Sequence, residues 1–404
     1  MTQLSKALGQ DRSSVREQLA AFAGFIGLGL IAGAFGIAFP YMRSEFTLDV
    51  SAAGVALIAN TLGYTGMSFI SGSITRRLGY SRLFMLALGL IVLGLVGYAV
   101  APSWLAVILT AAVVGAGAGL FDAAMNAYYA AFHNARSMNW LHACFGIGTT
   151  LSPLIMTAAV NNATWRAGYL TIGLIILGLL GIYFVLRREW LTLDLPPASP
   201  VSSDGAPRPR RANVLSSLRS PWVWLSMLIF FVYAGLEAAP GTWAYSLFTE
   251  RRSVDPEVAG WLVSLYWGSF TVGRIFFGAI ITRWKDTIPL VRACIIATGI
   301  GAVMWWLNPT PIIGYVGLVL LGFGQAPLFP VLVTNTPRYV GKVNANDAIG
   351  FQIAGASLGV AVIPSLIGVL ASLSSLDVVA PTIAACALII FVLHEIVARR
   401  DPNG

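Results

Sequence analysis

The chain has 404 residues, 57% of them hydrophobic and only 10% charged, against roughly 25% charged in an ordinary soluble domain. Mean hydropathy is +0.77 and the formal net charge is +8. A soluble fold of this composition would lack surface charge, so a soluble enzyme, a disordered chain and a nucleic-acid binder are excluded. Cys144, Cys294 and Cys386 lie in apolar runs without metal-ligand spacing or a disulfide framework.

A membrane helix needs about 20 mostly apolar residues. In chain order such runs occupy 19–41, 51–73, 83–101, 104–129, 139–160, 168–186, 221–246, 258–281, 288–307, 312–335, 345–370 and 377–396. Twelve spans are therefore expected. The first run is longer than the h-region of a signal peptide and leads straight into further spans, so it reads as a retained helix. With the N-terminus inside, 20 of the 25 Lys and Arg residues fall on inner segments and four on outer ones, and Arg274 falls within a span. That asymmetry is the positive-inside signal and predicts that both termini are cytoplasmic. The basic balance is thereby accounted for as a topology device facing the anionic inner leaflet.

The longest polar stretch, 188–220, contains LPPASPVSSDGAPRPRR and reads as a cytoplasmic linker. It separates an N-terminal six-helix bundle, 1–187, from a C-terminal one, 221–404. FISGSITRR at 69–77 is echoed by FFGAIITRW at 276–284, with the two ITR triplets 207 residues apart. Each copy ends the second span of its half, as a duplicated unit would place it.

The loop Gly72–Arg82, GSITRRLGYSR, resembles the loop between the second and third helices of the major facilitator superfamily. Gly72, Arg77, Gly79 and Arg82 match that pattern, while Arg76 stands where the family usually has an acid. AGLFDAAMN at 118–126, VYAGLEAAPGTW at 232–243, GRIFFG at 273–278 and QIAGASLGVAVIPSLIG at 352–368 are similar to the fucose and glucose/galactose:proton symporter branch. The resemblance implies an all-α membrane protein with two six-helix bundles that alternate access to a central site. It also implies gating by Gly72, Arg77, Gly79 and Arg82. Fucose-type proteins carry a second acid in the first span, and AFAGFIGLGLIAGAFGIAFPYM has none.

A carboxylate inside hydrocarbon is expensive and faces a bundle interior or a wet cavity. Asp122 is such a group, and it is expected to carry the coupling proton or to be a structural carboxylate satisfied by a polar neighbour. Asn126 lies four residues on, on the same helix face, and can bind solute hydroxyls. Glu237 in the seventh span can bind solute, carry a proton or pair with a cation. Arg274 has two candidate partners, Glu237 and Asp122, and with Asp347 it is a gating candidate. His142 can relay protons or be a satisfied interfacial histidine. Tyr129, Tyr233, Trp243 and Trp267 can stack on a sugar or simply pack. Gln325 and Gln352 are candidate hydrogen-bonding groups.

The function expected is secondary active symport of a small polar solute such as a sugar, with the proton as coupling ion and no other cofactor. The alternatives are a proton-coupled exporter of amphipathic compounds and a non-transporting membrane receptor. No nucleophile–His–acid cluster, metal motif or P-loop appears, so an enzyme is not expected. The expected partners are solute and membrane lipid, without nucleic acid, and the chain is expected to work as a monomer. The expected location is a bacterial inner membrane.

Overall fold

The computed structural model describes residues 15–133, 135–190, 217–281, 286–341 and 343–399. The core of the linker, including Arg208, Arg210 and Arg211, and the counterpart Thr282 in the second echo lie outside the described residues. Every regular element among those described is helical. The chain divides into two compact units, residues 1–48 with 55–198 and residues 49–54 with 199–404.

The first unit contains α1 (Val15–Ala32), α2 (Phe35–Glu45), α3 (Ala52–Val100), α4 (Trp104–Phe132), α5 (Ala135–Asn162) and α6 (Trp165–Val185). In the second are α7 (Pro221–Ser246), α8 (Pro256–Ile280), α9 (Ile288–Leu307), α10 (Pro311–Gln325), α11 (Leu328–Thr334), α12 (Thr336–Val340), α13 (Ala345–Leu373) and α14 (Val379–Ala398). Among the described residues, ten helical segments are long and apolar enough to cross a membrane. Starts are set locally. Ser103, Thr164 and Thr310 accept from backbone N–H groups in the first turns of α4, α6 and α10, and proline opens α7, α8, α9 and α10.

Three of the sequence-derived runs differ in detail. The first is broken into α1 and α2 by a turn at Gly33–Ala34. The run 312–335 is broken near Pro327, where proline removes a backbone donor. The run 51–73 continues as helix through most of the expected loop 74–82, and a kink at Gly79 then separates it from the helix of the run 83–101 within α3. Its one non-helical residue is Gly79, at φ 73° and ψ 164°, a conformation that side chains with a Cβ resist. That requirement gives Gly79 a physical reason to be glycine.

Glycines also let helices touch. A Cβ on Gly115 or Gly119 of α4 would strike the carbonyl oxygens of Asn60 or Tyr64 in α3. Small residues four apart thus bring the two backbones into contact, as membrane helices commonly do. Ser68 adds a hydrogen bond to the Gly119 carbonyl at 3.0 Å. In the second unit, Gly359 of α13 lies against the Phe231 carbonyl of α7 in the same manner.

Beyond α8, Asp286 accepts from the Ile288 backbone N–H at 3.1 Å and from Arg338 at 3.0 Å. The Ile288 N–H chiefly, and the Arg338 guanidinium with it, hold the Asp286 carboxyl below the usual carboxylate range. Its contribution to stability is therefore full above the ordinary aspartate pKa and lost as pH falls through the lowered value. Thermal unfolding of Asp286→Asn against the native chain should show a small gap at neutral pH, within about 1 kcal/mol for so exposed a pair. The gap should close on acidification below about pH 4, and a gap that widened there would contradict this reading.

Candidate functional site

In the first unit the site is built on α4. Tyr64 of α3 donates its hydroxyl to Asp122 Oδ2 at 2.6 Å. Asn126 donates its side-chain amide to Asp122 Oδ1 at 3.0 Å and to the Asp122 carbonyl at 2.9 Å. Both carboxylate oxygens are thus held, and among the described residues no basic side chain pairs with Asp122. The close α3–α4 contact at Gly119 is what brings Tyr64 within reach. Gly119→Val should therefore destabilise the unit by about 1–3 kcal/mol through overpacking and disturb the Tyr64–Asp122 bond. Denaturant titration in detergent checks the first effect, and native-like stability would contradict it.

Tyr129 follows on the same face of α4 and is fully buried, its ring stacked on His133 at 4.1 Å between centroids. His133 in turn meets Glu17 of α1 at 3.1 Å. His142, on α5, sits edge-on to Phe25 at 5.6 Å.

In the second unit the residues gather around Glu237. Tyr233 donates to Glu237 Oε2 at 2.5 Å and also lies 3.2 Å from the Gln325 carbonyl. Arg274 Nη2 stands 3.8 Å from Glu237 Oε1, with its guanidinium over the Phe270 ring at 4.3 Å. Tyr266 donates to the Glu237 carbonyl at 2.7 Å. Of the two partners open to Arg274 on sequence, Glu237 is the one it meets. Gln325 is wholly buried beside Tyr266, and neither of its amide atoms reaches hydrogen-bond geometry. The Trp267 indole N–H and Arg274 Nε are also buried without hydrogen bonds. Buried polar groups are normally satisfied, so these unmet groups on α8 and α10 are exceptions.

The remaining expected residues are placed elsewhere. The Trp243 N–H is taken by the Pro364 carbonyl at 2.9 Å, inside the α7–α13 packing. Gln352 is wholly buried and accepts from Thr336 at 3.0 Å. Asp347 accepts from Ser217 at 2.7 Å. Gly72, Arg77 and Arg82 are exposed at the bend of α3. A cavity of 320 Å³ lined by Arg252, Ser253, Asp255, Asn308 and Tyr315 lies at the connection leading into α8 and includes none of the clustered residues.

Sequence reasoning missed Tyr64, which stands in an apolar run with no pattern to single it out. It also missed the Glu17–His133 pair and the two-point Arg292–Glu395 bridge between α9 and α14, at 2.6 and 2.9 Å. Among the described residues no group of His, Cys, Asp and Glu could hold a metal ion.

The family model for the Major Facilitator Superfamily matches residues 21–342 and 239–403. The chain belongs to this superfamily. It is a multi-pass membrane protein of this transporter superfamily. The human sodium-dependent glucose transporter 1 is 25% identical over 383 residues, covering 86% of this chain and 72% of its own. Among solved structures, the nucleoside transporter NupG superposes with a TM-score of 0.76 at 10% identity, covering 95% of this chain and all of that one. The E. coli fucose:proton symporter FucP gives 0.61 at 15% identity, covering 96% of this chain and all of that one.

Proposed function

We propose that the chain carries a small polyhydroxyl solute, of the sugar or nucleoside class, together with a proton, and that Asp122 is the group that binds the proton. The observation that carries this reading is a carboxylate within a membrane helix that has hydrogen bonds to both oxygens and no cation partner among the described residues. Protonation removes its charge and turns one oxygen from acceptor to donor. The Tyr64 and Asn126 bonds must then rearrange, so proton binding changes the same helix face that offers Asn126 to solute. Neutralising the carboxylate also lowers the cost of a closed, dry state.

Within the second unit, the residues near Glu237 are suited to bind hydroxyls. Gln325, Trp267 and Arg274 have donors to spare, Glu237 is an acceptor, and the Trp267 ring offers an apolar face. The three similar proteins above are named for glucose, nucleosides and fucose, and each of these is rich in hydroxyls.

The finer topology belongs to the same proposal. Six spans lie in 1–187 and six in 221–404, joined by a cytoplasmic linker at 188–220, with both termini inside a bacterial inner membrane and a single chain as the working unit. Support comes from the ten apolar segments, from the Gly79 bend that makes two spans of α3, and from α8 as a further crossing. The distribution of basic residues supplies the orientation.

The test uses purified full-length protein in liposomes, offered D-glucose, L-fucose and uridine under an inward proton gradient, with internal pH followed. Uptake of one of these with matching internal acidification is expected. Uptake driven equally by a sodium gradient alone, solute movement against proton flow, or no solute movement by folded protein would each contradict the proposal.

A further inference from the structure

The face of α4 that carries Asp122 continues towards the end of the helix. Asp122, Asn126, Tyr129 and His133 are spaced at intervals of four, three and four residues, which keeps them within one narrow stripe over about 16 Å. The stripe ends on a buried pair. His133 Nε2 lies 3.1 Å from Glu17 Oε1, and the two side chains are 3% and 1% exposed. His133 caps the C-terminus of α4 and Glu17 occupies the first turn of α1. Along α4, between Asp122 and His133, comes Tyr129, whose ring lies flat on His133 and whose buried hydroxyl makes no hydrogen bond.

We propose that Glu17 and His133 form a second proton-binding site, the station through which the proton carried by Asp122 leaves the α4 stripe. This inference rests on the reading of Asp122 given above. In the step, the Asp122 carboxylic acid loses its proton and becomes a carboxylate. The neutral imidazole of His133 gains that proton on a ring nitrogen and becomes an imidazolium against the Glu17 carboxylate. Release of the proton to solvent at that end of the unit restores the neutral ring, and no electron changes hands. The Tyr129 hydroxyl, able to donate and to accept, belongs to the α4 residue that lies between Asn126 and His133 on the stripe. The other titratable groups facing the pair are Tyr128 on α4, Cys144 on α5 and Tyr183 on α6, while Arg16 beside Glu17 is exposed. The Arg136 side chain lies outside the described residues. Intramembrane ionisable groups are costly and are functional by default, and one carboxylate facing one imidazole is chemically a proton-exchanging pair.

The test follows the Asp122 carboxyl band by time-resolved infrared spectroscopy after an alkaline pH jump, using full-length protein in nanodiscs without solute. Asp122→Asn assigns the band, and if that variant keeps the band the reading of Asp122 fails by itself, whatever His133 does. With the band assigned, deprotonation should slow at least tenfold in both His133→Gln and Glu17→Gln. In His133→Ala, added imidazole should restore the rate in proportion to its concentration, because the free base takes the place of the missing ring. Unchanged rates in both the Gln variants would overturn the proposal. Slowing that imidazole leaves untouched would show a purely structural pair and would overturn it equally.

Discussion

Replacing Asp122 with Asn should uncouple the transporter while leaving its solute pathway in place. Asparagine keeps the shape and can still meet Tyr64 and Asn126, whose bonds to Asp122 are 2.6 and 3.0 Å long. It cannot take up or release a proton. Exchange of labelled for unlabelled solute across the liposome membrane requires only the loaded carrier, and it should stay within about threefold of the native rate, a change of less than 1 kcal/mol. Accumulation against a solute gradient should disappear. The two readouts separate coupling from binding. A variant that lost both would assign Asp122 a structural role, and one that kept both would remove it from the mechanism.

The second large effect is expected at the Glu237 cluster, and it should appear in affinity. Arg274 reaches Glu237 at 3.8 Å, with the two side chains 26% and 21% exposed, so the pair is open enough to exchange its bond for one to solute. A hydrogen bond to a charged group is worth about 1.5–3 kcal/mol. Glu237→Gln and Arg274→Ala should each raise KM for the transported solute by about tenfold to a hundredfold, which is that energy converted at about 1.4 kcal/mol per decade. Trp267→Phe keeps the ring and deletes the N–H, and should raise KM by about two- to tenfold for a neutral hydrogen bond. Trp243→Phe should leave KM near the native value and cost stability instead, because that N–H bonds the Pro364 carbonyl. Equal KM effects at Trp243 and Trp267 would contradict this division of labour.

Much of this was legible in the sequence because a membrane imposes simple rules. Long apolar runs marked the helices, and isolated charges within them marked Asp122, Glu237 and Arg274. The four-residue spacing of Asp122 and Asn126 gave their shared helix face, and their hydrogen bond follows from it. What escaped was whatever depends on neighbours distant in sequence. Tyr64 acquires a role only because Gly119 lets α3 approach α4. His133 and Glu17 are 116 residues apart, and each alone looks like an ordinary residue at the end of a span. The partner of Arg274 stayed open on sequence because it depends on which helix α8 packs against. The break expected at 74–82 is present but shorter than the charged residues suggest, because SITRRL continues the helix until Gly79 bends the chain.

The most direct measurement sets an outward-directed solute gradient against an inward-directed proton gradient and finds the ratio at which net solute flow stops. Proton symport through Asp122 predicts that the null point moves with the proton gradient, one decade of solute per pH unit for one proton per solute in electroneutral exchange conditions, and that Asp122→Asn stops at equal solute on both sides. A native null point at equal solute whatever the pH gradient would contradict the account.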